Sequence, residues 1–187
     1  MAAFISDYVW PLVLMVAESI LLLILLLIAV ISVLLRTLIN GQYGFHRDEL
    51  LTYTNARHLD WGYVSYPPIT PFLARVELEI FGTSLRGFRF FGAVAQSLMM
   101  LFAGLSAREL GGTCSAQVVT AIASGIGGVT LVHGSFYSYT SFDQLSWILV
   151  AYFVTRLTEV GGPPLVALIK SQTPVATWRN IAKPSSS

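Results

Sequence analysis

The chain is short of charge and nearly free of cysteine. Asp, Glu, Lys and Arg make up 11% of its 187 residues, less than half the roughly 25% of a soluble domain. A water-soluble globule of this length is therefore not the expectation. The single Cys114 excludes an internal disulfide and sits in no metal-ligand spacing; it reads as a small apolar packing residue. There is no long basic run, and the formal charge is +1, so nothing points to nucleic acid. No Lys or Arg precedes the first apolar run. That run, residues 9–35, is far longer than the roughly 7–15 residues of a signal-peptide core. It reads as a retained membrane helix.

What the chain has in abundance is apolar side chains: 55% of residues are hydrophobic and the mean hydropathy is +0.68. The expected fold is all-α, a polytopic membrane bundle of about four transmembrane helices. The first opens with Trp10-Pro11; tryptophan favours the bilayer interface and proline suits a first helical turn. Glu18, near one end, is expected to snorkel outward, and Arg36 marks the exit. Further spans are predicted at 88–105, 116–132 and 142–156. Gly125, Gly127 and Gly128 lie inside the third, where small residues let helices approach closely. Residues 1–160 form the expected membrane domain, and 161–187 an irregular or truncated tail.

Residues 36–86 carry a large share of the ionisable groups. Two amphipathic helices are predicted there. The first starts at Asp48 as N-cap, with Leu50, Tyr53, Ala56 and Leu59 as its apolar flank. The second has Thr70 to cap, Pro71 in the first turn and Gly82 as the stop. Its apolar stripe is Phe72, Leu73, Val76, Ile80 and Phe81, with Arg75, Glu77 and Glu79 facing elsewhere. Both are too polar to cross, and are expected to lie along the interface. Charge clustered beside a bilayer face is where chemistry is expected. Loop sidedness is not decided by the Lys and Arg count, which is a near tie under the positive-inside rule.

Five pieces occur in a recognisable order. His46-Arg47-Asp48-Glu49-Leu50 follows the long first span. Trp61-Gly62-Tyr63-Val64-Ser65-Tyr66-Pro67-Pro68 comes next, then Leu85-Arg86-Gly87-Phe88-Arg89. Ala107-Arg108-Glu109-Leu110-Gly111-Gly112 and Phe142-Asp143-Gln144-Leu145-Ser146-Trp147 complete the set. Over residues 41–156 the chain resembles the N-terminal part of the GT-C membrane glycosyltransferases, nearest the protein mannosyltransferase and lipid A aminoarabinose transferase-like branch. The resemblance implies transfer of a sugar from a polyprenyl-phosphate carrier to a lipid, glycan or protein acceptor. It also implies a plasma or inner membrane location, with the acidic pair on the extracytoplasmic face. Members of that family are much longer, so a fragment or truncated frame is expected.

Glycosyl transfer needs a carboxylate to take the acceptor proton and positive groups for the leaving phosphate. Asp48 is the candidate base, and Glu49 the residue to orient the acceptor or a partner cation. Arg47 can meet a phosphate through a bidentate contact. His46, His58 and Tyr66 are assigned to substrate binding. Asp143 matches a second acidic position of the family at the start of the fourth span. Plainer roles stand beside these: Asp48 and Asp143 as helix caps, Glu49 as a solvated first-turn residue, Arg47 as a lipid anchor, both histidines as surface residues. Two histidines and two carboxylates can supply a divalent metal, but their spacing is no known metal signature, and no cofactor is assigned. A non-enzymatic fragment or subunit that assembles with other spans is the alternative. A transporter half fits less well, because the spans hold few ionisable residues and no pair of broken helices.

Overall fold

The computed structural model describes residues 10–161, and every regular element among them is helical. The predicted tail and the charges it carries lie outside the described residues. In chain order the helices are α1 (Trp10–Ile39), α2 (Arg47–Arg57), α3 (Ile69–Phe81), α4 (Leu85–Phe88), α5 (Phe90–Glu109), α6 (Cys114–Ile126), α7 (Gly128–His133) and α8 (Tyr139–Gly161). Two helices are long and apolar enough to cross a bilayer, Met15–Ile39 within α1 and Phe90–Glu109.

The centre of the bundle is α5, which packs against α6, α8 and α1. Small residues make this possible: Gly92, Ala93, Ala95, Ser97, Ala103 and Gly104 are all buried. Of its most apolar stretch 56% is buried, against 17% in α1, so α1 is a peripheral helix that meets the bundle along one edge. Leu25 and Ala29 supply that edge, packing with Leu101 and Ala121. The other faces of α1 leave Leu23, Leu27 and Leu34 exposed. At the far end from the loop, Glu18 is exposed and accepts from Arg108 Nη2 at 2.8 Å.

The third predicted span is not one helix. Gly127 interrupts it with φ −55° and ψ 137°, an extended residue that ends α6 and caps α7. The 13 residues of α6 rise about 20 Å, short of a roughly 30 Å hydrocarbon core. Of the three glycines only Gly125 has the close-packing role, since a Cβ there would run into the side chain of Met100. Gly127 breaks the helix and Gly128 faces open space. The fourth helix starts earlier than predicted, at Tyr139.

The long loop folds as a second packed unit on the same end of the bundle as the α7–α8 connection. Its core joins Ala56, Ala74, Phe88 and Tyr137, flanked by Phe45, Tyr53, Leu78 and Phe142. Phe88 is the hub, with its ring 5.8 Å from Phe45, 5.9 Å from Tyr53 and 4.9 Å from Tyr137. Such aromatic pairs add about 0.5–1.5 kcal/mol each beyond their burial.

Both loop helices form close to where the pattern puts them, but turned differently. The N-cap of α2 is His46, not Asp48. Its Nδ1 accepts from the Asp48 amide at 3.4 Å, while Glu49 Oε2 accepts from the His46 amide at 2.8 Å. This is a capping box with histidine in the cap. The buried face of α2 is Glu49, Thr52 and Ala56, and Leu50 and Leu59 point outward. On α3 the reversal is sharper. The helix starts at Ile69 behind a Pro68 N-cap and stops, as expected, at Gly82 with φ 66°. Its buried residues are Thr70, Pro71, Ala74 and Glu77, while Phe72, Ile80 and Phe81 are exposed. Three of the five stripe residues thus face away from the protein, while Leu73 and Val76 are half-buried.

Candidate functional site

The loop is anchored by a buried ion pair. Glu49 sits on the inward face of the first turn of α2, one residue past Asp48, and has no exposed surface. Arg89, in the short link between α4 and α5, is buried too and meets it with two parallel contacts. Nε lies 2.7 Å from Oε1 and Nη2 lies 2.6 Å from Oε2. Charge-assisted bidentate pairs of this form are the strong class of hydrogen bond. The same guanidinium donates to the carbonyls of Asn40 and Gly44. The carboxylate also accepts from the amides of His46 and Tyr137. One buried pair therefore ties together the end of α1, the start of α2, the start of α5 and the α7–α8 connection.

This arrangement separates the two acidic residues predicted to act together. The cation that Glu49 meets is the protein's own Arg89, and neither group faces solvent. It is not a solvated first-turn residue. Asp48, about 100° around the same turn, has a side chain 70% exposed and lies 3.7 Å from His46 Nδ1. His46 stacks on Phe136, with ring centroids 4.8 Å apart. Arg47 is exposed beside them. His46, Arg47 and Asp48 therefore form one accessible polar edge against the α7–α8 connection.

The remaining candidates lie elsewhere. His58 caps the far end of α2, about 15 Å along the helix from Asp48, too far for both to act on one atom. Tyr66 is half-buried; its hydroxyl accepts from Asn55 Nδ2 at 2.6 Å, and its ring lies against Tyr63 and Tyr139. Asp143 is exposed, one turn into α8. Among the described residues no three His, Cys, Asp or Glu side chains gather as a metal site. Past the end of α2 a mainly apolar cavity of about 450 Å³ is lined by Leu59, Asp60, Trp61, Pro68, Ile69 and Phe72.

Three residues that the sequence did not single out complete the site's support. Arg89 is one. Tyr137 is the second: fully packed, it donates its hydroxyl to the Thr70 carbonyl at 3.0 Å and its amide to Glu49. Burial, with Glu77 nearby, pushes its phenol well above the ordinary range. Glu77 is the third. One oxygen accepts from the Phe91 amide, while the other has no partner. Burial raises its pKa to about 9 against the pull of that hydrogen bond, so it is a neutral acid at pH 7. Residues 69–91 carry five charges, Arg75, Glu77, Glu79, Arg86 and Arg89, and nothing in their spacing marks Glu77 and Arg89 as the buried two. Their inward direction depends on helix rotation, which spacing alone does not supply.

No protein family, curated protein or solved structure matches this chain.

Proposed function

We propose that the chain is an integral membrane glycosyltransferase of the GT-C type, or the N-terminal part of one. In this reading α1, α5, α6 with α7, and α8 cross the membrane, and α2 and α3 rest at its surface on the extracytoplasmic side. The donor is a polyprenyl-phosphate sugar and the acceptor a hydroxyl. The observation that carries the reading is the split of the acidic pair. Glu49 is consumed by Arg89 as a rigid mount, which leaves Asp48 accessible on a fixed turn beside His46 and Arg47. The exposed Trp61, Val64, Phe72 and Ile80 support a loop that touches lipid.

In the proposed reaction Asp48 accepts the proton of the acceptor hydroxyl as its oxygen attacks the anomeric carbon. The new carbon–oxygen bond forms as the bond from that carbon to the carrier phosphate breaks, and the phosphate leaves with the electron pair. Arg47 and His46 are the cationic and donor groups within reach of that charge. The test is transfer of labelled sugar from a polyprenyl-phosphate donor in proteoliposomes, with this chain and with a version extended by further spans. Asp48→Asn is expected to lower transfer by about 10²–10⁴-fold with unchanged membrane insertion. Full activity in that variant removes Asp48 from the mechanism.

A second reading, a subunit that assembles with other spans, is favoured by the largely unburied α1. A stable hetero-complex held through α1, without sugar transfer in either form, would select it.

A further inference from the structure

Arg36 is the one basic residue inside a groove whose walls are apolar. It lies on α1, three residues before the helix ends at Ile39. The groove runs between α1, α6 and α7, encloses about 480 Å³, and includes Ile31, Leu35, Ile122 and Ile126. Three of the guanidinium's contacts are to neutral oxygens. Nε donates to Ser32 Oγ at 3.2 Å, Nη2 to the Gly125 carbonyl at 3.1 Å and Nη1 to the Thr130 carbonyl at 3.4 Å. The two carbonyls flank the Gly127 break, where the helix ladder is interrupted. They satisfy donors but not charge. Among the described residues Arg36 meets no carboxylate. A guanidinium has five N–H groups, so two remain.

A cation in an apolar groove is costly without a counter-charge. The groove's dimensions say where one can come from. It follows α1 between positions 28 and 39, about 16 Å of helix, or half of the roughly 30 Å hydrocarbon thickness. Arg36 is about 5 Å below the loop end of α1, which in the membrane placement proposed above puts it near the headgroups of the loop-side leaflet. Asn40 and Ser135 lie at the upper rim.

We propose that this groove seats one anionic phospholipid of the loop-side leaflet, with its phosphate on Arg36 and one acyl chain along Ile31 and Ile126. The proposal rests on the membrane placement above but not on sugar transfer. A leaflet-long groove suits an acyl chain, whereas a polyprenyl chain would overrun it, and free phosphate would leave the apolar walls uncovered.

The test is native mass spectrometry of the full chain released from nanodiscs of phosphatidylcholine with phosphatidylglycerol or polyprenyl phosphate. The expected result is one retained phosphatidylglycerol, preferred at least tenfold over phosphatidylcholine. Arg36→Gln should lose that preference and Arg36→Lys should keep most of it. Ile126→Trp, which fills the groove and leaves the charge, should lose the lipid as well. Equal retention of both phospholipids, an unchanged preference in Arg36→Gln, or preference for polyprenyl phosphate overturns the proposal. A chain that inserts in the membrane without lipid preference overturns only the seat; a chain that does not insert at all overturns the membrane reading with it.

Discussion

Replacing Glu49 with Gln should destabilise the protein more than any surface charge change. The substitution keeps size and one acceptor oxygen. It removes the counter-charge of Arg89 and presents an NH₂ group where a second oxygen received donors. Four donors converge on the carboxylate: Nε and Nη2 of Arg89 and the amides of His46 and Tyr137. With both side chains buried, the loss of one partner leaves a cation without solvent or counter-charge. Such losses cost about 3–5 kcal/mol, a large part of a typical 5–15 kcal/mol stability. The measurement is reversible denaturation in detergent, followed by helicity, for Glu49→Gln, Arg89→Met and the double variant. The single changes should each be severe. The double should recover about 0.5–3 kcal/mol relative to their sum, because removing both charges leaves neither one stranded. Amide exchange at His46 and Tyr137 should accelerate in Glu49→Gln. A cost below about 1 kcal/mol for Glu49→Gln, with additive behaviour in the double, would refute the claim that this pair mounts the loop, since exposed pairs give about that much.

Three further outcomes are expected. Asp48→Asn, one position away, should leave stability within about 0.5 kcal/mol because its side chain is largely exposed, so any loss of sugar transfer in it is chemical. Glu77 has its folded pKa raised from 4.5 to about 9. The folded state then holds a proton that the unfolded state has released, so its contribution is full below pH 4.5 and is lost as pH rises towards 9, at about 1.4 kcal/mol per pH unit. Denaturation across that range should show this slope, and Glu77→Gln should flatten it; an unchanged slope would assign it to other groups. Glu18→Ala should cost less than about 1 kcal/mol, since the pair with Arg108 is exposed at 38% and 59%, and the same denaturation assay reads it.

The helices were legible in the sequence because their signals are local. The stop at Gly82 and the long apolar α1 follow from backbone freedom and hydropathy. The break at Gly127 was not legible, since a glycine in an apolar run reads equally as a packing residue. In the folded chain Arg36 donates to carbonyls on both sides of the interruption. Within the site, the polar edge of His46, Arg47 and Asp48 was visible as a charge cluster. The division of labour between Asp48 and Glu49 was not, because adjacent helical residues differ by about 100° and spacing does not say which points inward.

The sequence by itself determined that the chain is helical and apolar and that a large share of its ionisable groups follows the first long apolar run; it predicted about four spans, and two helices among the described residues have the length and hydropathy to cross a bilayer. Those properties are sums over local composition. Only the tertiary structure decided that Glu49 belongs to Arg89, that Glu77 is buried while Phe72, Ile80 and Phe81 of α3 are exposed, and that Asp48 stays exposed beside His46. Each depends on how one helix is rotated against another, and that rotation is set by the packing of Phe88, Ala56, Ala74 and Tyr137, residues distant in sequence that meet only in the folded chain.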